Sequence, residues 1–167
     1  YSSPKYYAAA SVGSGQCGQA NGLALECMFG NITSASVNLK MDFTNNGAQN
    51  GTCASVKFVI KDINADESVQ TFADWVVISA VDGNNTALPV ANITINLGAS
   101  TTTVTSGSTK IIKGYSGSYG SRSSSPCNTT TVTVTPPSGV TLKSITLNYH
   151  PDYTACASCY YNFTGPN

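Results

Sequence analysis

The sequence predicts an all-β fold: an antiparallel, immunoglobulin-like or jelly-roll-like β-sandwich with an extended strand at its N-terminal end. Three observations predict it. Apolar residues recur at every second position in run after run, the spacing that gathers them on one face of a strand. Clusters of turn-forming residues separate the runs: Asn45-Asn46-Gly47, Asp82-Gly83-Asn84-Asn85, Ser106-Gly107-Ser108 and Pro136-Pro137-Ser138-Gly139. Thr and Val abound, as a pleated, half-buried surface favours. Short strands separated by frequent turns build two sheets packed face to face.

The elements follow in order. Tyr6, Ala8, Ala10 and Val12 fall on one face of an extended strand, and Tyr7, Ala9 and Ser11 on the other. Gly13-Ser14-Gly15 reads as a hinge after it. Val37, Leu39, Met41 and Phe43 then face inward, with Asn38, Lys40, Asp42 and Thr44 outward. Val56, Phe58 and Ile60 repeat the pattern, with Lys57 and Lys61 outward. Phe72 to Val81, around Trp75, is an apolar run that suits a central strand. Ile93, Ile95 and Leu97 form another strand; Val132 and Val134 follow, then Leu142, Ile145 and Leu147. Asn64–Ser68 offers one turn of helix. The Gly/Ser/Tyr segment Gly114–Pro126 is too polar to pack and long for a plain connection. With 167 residues the chain reads as one sandwich domain, 17–167, preceded by the strand and hinge of residues 1–16.

Composition narrows the role. Eight basic and eight acidic residues cancel, and only 10% of the chain is charged. An ordinary soluble domain carries about 25%. No basic stripe is present to displace counterions from a phosphate backbone, so nucleic acid is not an expected partner. No apolar stretch is long enough to span a bilayer, and no membrane association is expected. Six cysteines, Cys17, Cys27, Cys53, Cys127, Cys156 and Cys159, read as three disulfides formed in an oxidising compartment. A first residue of Tyr1 rather than Met fits removal of an export leader. The expected location is therefore extracellular. Sequons place candidate N-glycans on Asn31, Asn50, Asn84, Asn92, Asn128 and Asn162.

Little points to catalysis, and no catalytic residue, cofactor or metal site is expected. His150 is the sole histidine and precedes Pro151-Asp152-Tyr153 in what reads as a turn; a Ser-His-Asp set would have to use it, and a zinc site at Cys156 and Cys159 would need two more ligands. Cys156-Ala-Ser-Cys159 has redox spacing, but its flanks do not read as helix. Asp62, Asp66 and Glu67 lack the glycine and terminal glutamate of a calcium loop. Lys40, Lys57 and Lys61 could form isopeptide bonds only if they pointed inward, and alternation points them outward.

The stretch YYAAASVGSG, read as a free strand and hinge ahead of a sequon-rich, low-charge sandwich, resembles the subunits of donor-strand-complemented extracellular filaments such as archaeal threads. The resemblance is architectural and spans the chain; the six cysteines depart from the general pattern. It implies a structural subunit that polymerises with copies of itself, coated by N-glycans, through the donor-strand residues Tyr6, Ala8, Ala10 and Val12. The alternative expectation is a secreted carbohydrate-binding or adhesin module using Tyr115 and Tyr119, or Tyr149, Tyr153, Tyr160 and Tyr161. The N-terminal strand could equally complete its own sandwich.

Overall fold

The computed structural model describes residues 7–14, 20–28, 36–43, 55–61, 63, 65–66, 72–98, 101–114 and 129–151. They form the strands β1 (Tyr7–Ser14), β2 (Ala20–Met28), β3 (Val37–Asp42), β4 (Val56–Lys61), β5 (Ala65–Asp66), β6 (Phe72–Asp82), β7 (Ile93–Asn96), β8 (Thr101–Ser106), β9 (Thr109–Gly114), β10 (Thr129–Val134) and β11 (Leu142–Pro151). The one helical element among them is a short 3-10 turn, Val90–Asn92, leading into β7. Asn64–Ser68, expected as a helical turn, instead holds β5, whose Ala65 and Asp66 pair with Ala73 and Phe72.

All pairing is antiparallel, and two sheets pack together. The larger runs β3-β11-β6-β9-β8, with β5 paired to β6, and the smaller runs β4-β10-β7. The core between them is built by alternation. Ile78, Ile112, Val132, Val134, Leu142 and Ile145 are fully enclosed, and Val76, Ala80, Leu88 and Ile93 nearly so. Each large aliphatic chain buried this way contributes about 1.5–3 kcal/mol. On β3 the expected alternation holds throughout, with Asn38, Lys40 and Asp42 exposed between half-buried Val37, Leu39 and Met41. Lys57 is exposed as expected, whereas Lys61 is half-buried. Leu97 lies past the end of β7 and is 40% exposed, so it is not the inward residue its spacing suggested.

The turns obey local chemistry. Gly107 opens the two-residue β8–β9 loop with φ +56°, a left-handed angle that glycine adopts without strain. Thr109 Oγ1 donates to the Ser106 carbonyl across that loop at 2.7 Å. Gly139, at φ +78°, sits third in the turn closed by Val140 N–H donating to Pro137 O, the type II arrangement. Between β6 and the 3-10 turn, the Asp82 carboxylate accepts from the backbone N–H groups of Asn84 and Thr86 at 2.9 and 2.8 Å. Asn85 at the tip takes φ 63°, which asparagine tolerates better than most residues. A register shift between Leu142 and Ser144 leaves Lys143 as the extra residue of a bulge. That bulge explains why Leu142 and Ile145, three apart in sequence, both reach the core.

Candidate functional site

The N-terminal strand exists and has a partner. β1 pairs antiparallel with β2 from Tyr7 opposite Met28 to Ser14 opposite Ala20. This hairpin forms a two-stranded sheet of its own, separate from both sheets of the sandwich. The strand runs through Gly13 and Ser14, and the register shifts between them. Of the candidate donor-strand residues, Ala8, Ala10 and Val12 lie on β1, while Tyr6 falls outside the described residues. Paired residues share a face of an antiparallel sheet. One face therefore collects Ala8, Ala10 and Val12 with Leu23, Leu25 and Cys27. The other collects Tyr7, Ala9, Ser11 and Gly13 with Gly22, Ala24, Glu26 and Met28. The first is wholly apolar, and the second carries the single charge of the hairpin.

The two flanks of the sandwich differ. Val81 bridges Ala87, and Leu88 N–H donates to Ala80 O at 2.9 Å. Because β11 already occupies one side of β6 there, this segment lies on the β9 side. The chain then crosses to β7 and returns to β8 after only residues 97–100. Gly98 tightens that return, its N–H donating to buried Thr130 Oγ1 at 3.0 Å. The β7–β8 flank is thus closed by the chain itself. β4 and β3 are the other ends of the two sheets. There Leu39, Met41, Phe43, Val56, Phe58 and Ile60 pack against the core but stay only partly buried. Among the described residues β4 pairs with β10 alone.

Two of the six candidate glycan acceptors lie within the described residues. Asn84 is exposed in the Asp82–Thr86 turn, with Thr86 of its sequon also exposed. Asn92 is half-buried at the end of the 3-10 turn, and its Nδ2 donates to the Thr135 carbonyl at 2.8 Å. Asn31, Asn50, Asn128 and Asn162 lie outside the described residues. Of the cysteines, only Cys27 is within them, opposite Ala8; Cys17, Cys53, Cys127, Cys156 and Cys159 are outside.

The remaining polar residues are structural in their contacts. His150 is on β11 opposite Trp75, not in a turn. Tyr149 donates its hydroxyl to the Asp74 carboxylate at 2.6 Å, part-buried. Lys113 holds its ammonium 3.8 Å from the centre of the Trp75 ring, a cation–π contact. Lys143 Nζ reaches Asn85 Oδ1 at 2.5 Å, the one lysine–asparagine contact among the described residues. It is exposed, and Thr130 and Ser144 are the only buried polar side chains among the described residues. No cluster of three metal-ligating side chains occurs among the described residues. No helix among them is long and apolar enough to cross a membrane.

The chain matches no protein-family profile, no curated protein and no solved structure.

Proposed function

We propose that this chain is a structural subunit of an extracellular, glycosylated filament, assembled head to tail by its N-terminal strand inserting into the neighbouring subunit. The observation that supports this best is that β1 belongs to neither sheet of the sandwich, while among the described residues β4 has β10 as its one strand neighbour and the apolar residues of β3 and β4 are only partly buried. Main-chain hydrogen bonds added along such an edge supply the strength of the joint. Small Ala residues at positions 8, 9 and 10 suit close approach of a neighbouring backbone. The contact is heterologous, so it propagates instead of closing on itself. Sequons and an even cysteine count fit an exported protein, and exposed Asn84 is the acceptor best placed to carry sugar on the filament surface. No catalytic step belongs to this role.

The binding-module alternative gains nothing specific. Tyr149 commits its hydroxyl to Asp74. Its other tyrosines, Tyr115, Tyr119, Tyr153, Tyr160 and Tyr161, lie outside the described residues. The test is negative-stain imaging of the full chain beside a form lacking Tyr1–Val12. Filaments from the first and dispersed particles from the second support the proposal; filaments of equal length from both refute it.

A further inference from the structure

We infer that the two described sequons have opposite fates: Asn84 carries an N-glycan, and Asn92 stays bare because its side-chain amide is a rung of the β7–β10 ladder; this rests on the glycosylated reading above. Both are Asn-X-Thr, Asn84-Asn85-Thr86 and Asn92-Ile93-Thr94, so the motif alone treats them alike. The fold does not.

The ladder accounts for Asn92. β10 and β7 pair from Thr131 opposite Asn96 to Val134 opposite Ile93, and one further step sets Thr135 opposite Asn92. Thr135 N–H donates to the Asn92 carbonyl at 2.9 Å. In a regular antiparallel pair the return bond would run from Asn92 N–H to the Thr135 carbonyl. Asn92 N–H is instead turned to the Pro89 carbonyl at 2.9 Å, closing the 3-10 turn that leads into β7. Asn92 Nδ2 takes its place and donates to the Thr135 carbonyl at 2.8 Å. The side chain completes the rung that the turn took from the backbone. An aspartate there would have no proton to donate, and a glutamine would be one carbon too long. The next residue of the partner chain, Pro136, has no N–H with which to extend the ladder.

Glycan transfer asks the opposite of such a residue. A bond forms between Nδ2 and the anomeric carbon of a phosphate-activated sugar, the carbon–oxygen bond to phosphate breaks with its electron pair leaving on phosphate, and one Nδ2 proton passes to a base of the transferase. The amide must therefore be reachable, together with the hydroxyl two residues on. Asn84, Asn85 and Thr86 are all exposed in their turn, with no core residue among them. The backbone N–H groups of Asn84 and Thr86 both donate to the Asp82 carboxylate, which presents the motif as one fixed loop. Around Asn92 the middle residue, Ile93, is 2% exposed in the core, and Thr94 is held in the ladder opposite Thr133. Gripping that motif would pull Ile93 from the core and break the Thr135 rung.

Glycopeptides of the native full-length protein, sequenced by fragmentation that leaves sugars attached, test the inference. Sugar on Asn84 and none on Asn92 is expected. Sugar on Asn92 overturns it. Asn84 bare while Asn31, Asn50, Asn128 or Asn162 carries sugar also overturns it, with the glycosylated reading left standing. All six bare refutes both. Two variants test the rung without reference to sugar. Thr94→Val removes the sequon from an exposed strand position but keeps the Asn92 amide, and should leave both mass of attached sugar and melting temperature unchanged. Asn92→Asp removes the donor and should melt about 2–4 °C lower. Equal melting of the two variants overturns the structural role of Asn92.

Discussion

Replacing Gly98 by alanine perturbs the closed flank at its tightest point. A Cβ on Gly98 would stand 2.7 Å from the Thr129 carbonyl oxygen and 2.9 Å from both the carbonyl carbon and the nitrogen of Thr129. All three neighbours are backbone, held in the β10 ladder against β4, so none can swing aside. Forcing atoms into a packed site costs about 1–3 kcal/mol. The shift also pulls the Gly98 N–H away from Thr130 Oγ1, now 3.0 Å distant and fully buried. A buried hydroxyl deprived of its partner costs about 1–3 kcal/mol more. Stiffening of the unfolded chain returns about 0.4–1 kcal/mol. The net loss is therefore about 1–5 kcal/mol, a fall in melting temperature of about 2–20 °C for a chain of this size. Gly107→Ala is the comparison, since nothing lies within 4 Å of its Cβ and only φ +56° opposes the change, at about 1 kcal/mol. Thermal unfolding followed by near-ultraviolet circular dichroism measures both. A loss below about 0.5 kcal/mol for Gly98→Ala, where most harmless surface changes fall, refutes the reasoning. So does a larger loss at Gly107 than at Gly98.

Ile145→Ala empties a fully buried position on β11, between β3 and β6, and should cost about 2–5 kcal/mol in urea unfolding. Tyr149→Phe removes the 2.6 Å bond to Asp74; because the pair is only part-buried, about 1–2 kcal/mol is expected, and the same urea titration reads it. Peptide mapping of the native protein after enzymatic deglycosylation should find Asn84 modified, and an unmodified Asn84 would remove the exposed turn from the proposed sugar coat.

Sequence patterning made the strands of the sandwich readable wherever one face is wet. β3 is the clearest case, since exposed Asn38, Lys40 and Asp42 punctuate half-buried neighbours. β9 escaped because both of its faces are covered: Ile112 belongs to the main core and adjacent Ile111, on the other face, is only 7% exposed. A strand buried on both sides shows no period of two. β2 carries the alternation Leu23, Leu25 and Cys27, but the Asn21-Gly22 pair and the cysteine draw the eye to turn and disulfide instead. The bulge at Lys143 broke the spacing of β11, and only pairing with β6 reveals how Leu142 and Ile145 come to one face. The partial burial of the β3 and β4 hydrophobics was not legible at all. It depends on how many strands each sheet contains and where the chain crosses between them, which are long-range facts. The strand carrying Ala8, Ala10 and Val12 was legible by alternation, whereas its pairing with β2 was not.

The central claim is that β1 joins one subunit to the next. The most direct test is the mass of the purified full chain, by light scattering across a range of concentrations, beside an Ala10→Asp form that places a charge in the middle of β1. Polymers from the full chain, and a folded monomer from Ala10→Asp with unchanged near-ultraviolet dichroism, are the predicted result. A full chain that remains a monomer at every concentration, or an Ala10→Asp form that polymerises equally well, would contradict it.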